Sequence, residues 1–102
     1  MCTSIVELTK ADGMAKGEDG WFPVDQAVVA YDHARHALEY DVITIDFVNS
    51  ELPPSARAGV ELTLESAKAL VATLQKAIAE AEIEEAEARP HGIPSRHLRA
   101  VA

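Results

Sequence analysis

The sequence predicts an α+β fold: an antiparallel sheet of about four or five strands with one long C-terminal helix packed on one face. Two observations lead there. Segments such as "DVITIDFVNS" and "ARAGVELT" alternate with a period of two, the mark of half-buried strands. After Thr63 the apolar period changes to that of a helix, with Ala67, Leu70, Val71, Leu74, Ala77, Ile78 and Ala81 in one stripe. Strands first and a helix last suit a sheet with one covered face.

The elements follow in order. "TSIVELTK" alternates and reads as a strand, with Val6 and Leu8 on one side and Ile5, Glu7 and Thr9 on the other. "ADGMAKGEDGWFP" holds Gly13, Gly17, Gly20 and Pro23, so it reads as a loop or a broken hairpin. Ala27 to Tyr31 is a second strand. "DVITIDFVNS" is the clearest strand, with Ile43, Ile45 and Phe47 opposed to Val42, Thr44, Asp46 and Val48. "ELPPS" is a turn, because neither proline suits a central ladder. "ARAGVELT" is a further strand, with Ala58, Val60 and Leu62 opposed to Arg57, Gly59 and Glu61. Thr63 is a good N-cap and Glu65 suits the first helical turn. The helix is expected to run to Arg89, before Pro90. The prediction is one α+β domain over residues 1–89 and a flexible tail over residues 90–102.

Composition excludes several function classes. The chain has 102 residues, 48% of them apolar and 25% charged, and a net charge of −8. An acidic chain without a basic patch is a poor partner for nucleic acid or an anionic membrane. A single cysteine allows no internal disulfide and no cysteine-rich zinc site. The start "MCTSIVELTK" lacks the form of a signal peptide, and no stretch approaches a membrane span. A soluble cytoplasmic protein is expected.

The candidate chemistry gathers on one sheet face and one connection. Alternation predicts an apolar face of Val6, Leu8, Ile43, Ile45, Phe47, Ala58, Val60 and Leu62. The opposite face would carry Glu7, Thr44, Asp46, Arg57 and Glu61. Asp46 stands out, because "ITIDFV" should carry apolar or β-branched residues. This face is solvated, with Arg57 and Glu61 as ion-pair partners, or a polar pocket, or a plain dimer interface. The connection "YDHARHALEYD" adds Tyr31, Asp32, His33 and His36. A histidine beside a carboxylate is the simplest acid–base device near neutral pH. The same stretch also reads as a plain polar turn, or as part of a metal site through His33 and His36 with an added acid. Cys2 as an N-terminal nucleophile and Lys16 as an anion ligand are weaker candidates. Trp21 and Phe22 read as rim-of-core residues.

The stretches "MCT-IVE-T", "AKG--GWFPV", "YDH--HA", "IDFVN" and "R--VEL---SA--L" resemble the marks of a small actinobacterial family of unknown function. The resemblance runs from Met1 to about Ile78. It departs at Ala34, where the family pattern "DHPxHA" has proline. It implies attention to Tyr31, Asp32, His33, His36 and Asp46, and no reaction.

The expectation is a small acid–base enzyme of isomerase, lyase or cyclase type, needing no cofactor and acting on a small organic substrate. His33 or Asp46 would be the base, with Tyr31, His36 and Arg57 orienting the substrate or stabilising charge. The alternatives are a non-catalytic dimeric module binding a ligand or partner, and a metal-binding protein. A homodimer is expected.

Overall fold

A computed structural model describes residues 5–88. The chain divides into two compact units, one ending at Ala67 and one beginning at Lys68. The first holds strands β1 (Val6–Gly17), β2 (Gly20–His33), β3 (Asp41–Val48) and β4 (Arg57–Leu62). All neighbours are antiparallel and the order is β1-β2-β3-β4, a simple meander. The second holds most of helix α1 (Leu64–Ala88). The α+β arrangement, strands first and helix last, is as the sequence predicts.

The segment read as a loop or a broken hairpin is the far half of a long hairpin. β1 and β2 stay paired out to Gly17 opposite Gly20. The glycines mark irregularities rather than a break. Between Lys10 and Gly13 the register shifts, so Ala11 and Asp12 lie against Asp25 alone. This is a β-bulge, which bends the strand and increases its twist. The tip turns through Glu18 and Asp19 into Gly20, whose φ is +110°. Among the described residues no side-chain-bearing residue has positive φ. The turn therefore closes on its glycine instead of using the mirror-image turn that needs two such residues.

The bend brings the edges of the sheet together. In a flat sheet β1 and β4 would be about 14 Å apart, three strand spacings. Yet a Cβ on Gly17 would stand 3.2 Å from the Arg57 carbonyl oxygen and 2.9 Å from the Phe22 ring. The sheet is curled, and glycine permits the closest approach. The following turn is tied down as well. Ser50 donates its backbone N–H and its hydroxyl to Asp25, and Asn49 donates its amide N–H to the Pro23 carbonyl at 3.0 Å. The Ser50 hydroxyl, assisted by its N–H, holds the Asp25 carboxyl below its usual pKa.

Register assigns the faces, because residues directly opposite share one. Val28, Asp46 and Gly59 line up, as do Ala30, Thr44 and Glu61. Thr44, Asp46, Arg57 and Glu61 thus share a face, as expected. β1 is reversed from expectation. Val6 pairs with Ala30 and so joins the Asp46 face, while Glu7 pairs with Val29 and joins Ile45. Alternation shows which residues of one strand go together; only pairing shows which face they join. Trp21 also departs from expectation, being 66% exposed near the hairpin tip.

In α1, Thr63 caps the first turn, accepting the Ser66 N–H on its hydroxyl oxygen at 3.0 Å. No residue of the helix is buried. The stripe that the pattern marks for burial is exposed at Leu70, Val71, Leu74 and Ile78. Residues 90–102, read as a tail, lie outside the described residues.

Val42 is fully buried, with no exposed surface, whereas Leu8 is 61% exposed. Val42→Ala should cost roughly 2 kcal/mol and Leu8→Ala below about 0.5 kcal/mol. Urea denaturation of the two variants checks this.

Candidate functional site

β4 is six residues long, and its alternate positions Arg57, Gly59 and Glu61 all face the same way. Each does something different there. The Arg57 guanidinium donates to the Asp46 carboxylate, Nη2 to Oδ1 at 2.5 Å. Arg57 thus pairs with Asp46 and not, as the sequence suggested, with Glu61. Gly59 lies directly opposite Asp46. A Cβ there would stand 2.6 Å from Asp46 Oδ1 and 3.5 Å from Arg57 Nη2. The ion pair therefore lies across the strand in the space that glycine leaves. Its side chains are 57% and 24% exposed. Such a pair contributes at most about 1 kcal/mol to stability. Its consequence is positional, an ordered guanidinium–carboxylate unit on the sheet face.

Glu61 holds the connection between β2 and β3. The loop is closed at its base by the Ala34 N–H, which donates to the Tyr40 carbonyl at 3.0 Å. Three consecutive backbone N–H groups then donate to the Glu61 carboxylate: Arg35 to Oε2 at 3.0 Å, His36 to Oε1 at 2.9 Å and Ala37 to Oε1 at 2.8 Å. These bonds, from Ala37 first and His36 next, hold the Glu61 carboxyl below its usual pKa. A carboxylate can accept several such bonds, and each is charge-assisted.

His33 is oriented from its own hairpin. It pairs in register with Asp41, and its Nδ1 lies 2.8 Å from Asp41 Oδ1. Its backbone N–H donates to Asp32 Oδ1 at 2.7 Å. The Tyr40 ring meets the imidazole edge to face, with centroids 5.4 Å apart.

A cleft of about 950 Å³ lies on the Asp46 face, with Val6, Val28 and Ala30 among its apolar lining. Asp46, Arg57, Glu61 and His36 also line it. Of the five predicted site residues, Asp46 and Arg57 are in contact and His36 joins them on the cleft wall. Tyr31 does not, since it pairs with Ile43 on the opposite face. His33 is intermediate. Alternation assigns it to the Tyr31 face, but as the last residue of β2 it also borders the cleft. A second cavity of about 290 Å³ lies at the hairpin tip beside Trp21 and Phe22. Among the described residues no three histidine, cysteine or acidic side chains gather as a metal group. No helix there is long and apolar enough to cross a membrane.

Sequence reasoning missed Glu61 as the loop anchor, Asp41 as the partner of His33, and Gly59. Gly59 had a legible signal: an isolated glycine within a strand marks a close approach. Asp41 had a weaker one, because the first and last residues flanking a hairpin connection face each other. Glu61 had none, because its partners are backbone groups far away in sequence.

Two outcomes follow. The carboxylate form of Glu61 is the one bound, and its pKa is lowered in the folded chain. Its contribution to stability is complete above about pH 4.3, the ordinary glutamate value, and is lost as pH falls through the lower folded value. Denaturation of wild type and Glu61→Gln should therefore show wild type more stable at neutral pH and the gap closing in acid. Gly59→Ala should displace the Asp46 carboxylate while leaving the fold intact. The side-chain N–H signals of Arg57 in an NMR spectrum would move toward those of free arginine.

The comparisons with known proteins bear on identity and not on chemistry. No curated protein and no solved structure matches the chain. The model of a family of unknown function, DUF6295, matches residues 1–87, most of the chain, which therefore belongs to that family.

Proposed function

We propose that the cleft on the Asp46 face binds a small polar organic molecule. The observation that carries this reading is the Arg57–Asp46 pair set over Gly59 within a cleft whose lining mixes apolar and polar side chains. Ligand sites combine mostly apolar walls with a few fixed polar groups. Here the guanidinium offers N–H donors and the carboxylate an acceptor, side by side, to a ligand bearing an acid, amide or hydroxyl group. The Glu61-held loop supplies the rim, with His36 on it. The setting we propose is the cytoplasm, since one cysteine makes no internal disulfide. An actinobacterial setting is proposed from the motif resemblance alone.

A second reading, acid–base catalysis, is favoured by the oriented His33–Asp41 pair at the cleft border. A carboxylate on Nδ1 fixes the imidazole tautomer and supports proton transfer. In this reading His33 takes or gives the proton in an isomerase, lyase or cyclase step, and Arg57 stabilises developing negative charge. Tyr31, on the opposite face, has no part in it.

A library of small organic acids, amides and alcohols, screened by ¹⁵N-edited NMR, tests binding. Hits should move the amides of Thr44, Asp46 and Gly59, and Arg57→Gln should weaken them roughly tenfold or more. Hits indifferent to Arg57 would sink the reading. Catalysis requires in addition that His33→Gln abolish conversion of a bound hit while leaving its affinity within about twofold; undiminished conversion rules His33 out.

A further inference from the structure

We propose that α1 pairs with the α1 of a second copy of this chain, antiparallel and in full overlap. A lone helix in water is marginal, and most helical stability in proteins comes from burying an apolar face. Here no residue of α1 is buried, and Val71, Leu74 and Ile78 are each about half exposed.

The stripe fits a heptad pattern. Leu64, Val71 and Ile78 take one core position and Ala67, Leu74, Ala81 and Ala88 the other, with Glu85 the charged exception. The charge distribution along the helix selects the orientation. The C-terminal half carries Glu80, Glu82, Glu84, Glu85 and Glu87 and no lysine, while Lys68 and Lys76 lie earlier with a single acid, Glu65; of these, Lys68, Glu82 and Glu84 flank the seam. A parallel pair would set the acidic halves side by side. An antiparallel pair sets each against the half that holds the lysines, and it also opposes the helix dipoles favourably.

One register uses the whole helix. Leu64 then lies against the partner's Ala88, Val71 against the partner's Ala81, and Leu74 against the partner's Ile78. That register brings Lys68 beside the partner's Glu82, twice by symmetry, and Gln75 beside the partner's Gln75. Its poor contacts are Ala67 against the partner's Glu85 in the core and Leu70 beside the partner's Glu84 on the flank, both placed where a glutamate can reach solvent. Small alanines in the core allow close approach but limit the buried area, so a reversible dimer is expected rather than an obligate one. This inference rests on the helix and is independent of the cleft.

Sedimentation of the full chain between roughly 1 and 300 μM tests it, a range chosen for a micromolar dimer. Wild type should pass from monomer to dimer. Lys68→Glu and Glu82→Lys should each raise the dimer Kd roughly fivefold or more, because both symmetric contacts become repulsive. The double variant Lys68→Glu, Glu82→Lys restores opposite charges and should return toward wild type. A monomer throughout, a dimer indifferent to the single reversals, or a double variant as weak as the singles would each overturn the proposal.

Discussion

The Glu61 carboxylate and the three backbone N–H groups it receives are the constraint on which the candidate site depends. A loop's N–H groups must find partners, and here a strand two positions across the sheet provides them. The bond set draws the β2–β3 connection onto the Asp46 face. It thereby creates one wall of the cleft and sets His36 along it. Val42, which begins that face of β3, is fully buried. Removing the charge from Glu61 would release the loop without touching the hydrogen-bond ladder of the sheet.

The same short strand supplies the floor. Arg57, Gly59 and Glu61 occupy every cleft-facing position of β4, and each serves a group outside the strand or leaves room for one. Glu61 holds the loop, Gly59 makes space and Arg57 reaches across to Asp46. The curled hairpin brings its far end to the start of β4, where Gly17 approaches the Arg57 backbone. The site is thus a product of curvature and of one strand's alternation. The helix contributes separately, through a capped start and an exposed stripe.

Much of the fold was legible because its signals are local. The alternation of β3 and β4, the two prolines of the turn and the Thr63 cap lie within a few residues each. The β1–β2 hairpin was hidden because glycines at a bulge and a tip read as a loop. The facing of Val6 and Glu7 was hidden because register is a relation between strands. Within the site, Asp46 was legible as a charge in an apolar strand, and the histidine connection as a cluster of titratable groups. Their division between faces was not, because Tyr31 lies on the far side of β2 from Asp46 while His33, two residues on, borders the cleft from the end of the strand. Glu61 looked like an ordinary solvated acid, since nothing in a sequence marks which backbone groups a carboxylate will meet.

An NMR pH titration of the backbone amides tests the central role of Glu61 most directly. The Arg35, His36 and Ala37 N–H signals should move together on acidification, with one shared midpoint below that of an ordinary glutamate. Amides that do not respond, or that respond at separate midpoints, would contradict a single carboxylate holding the loop.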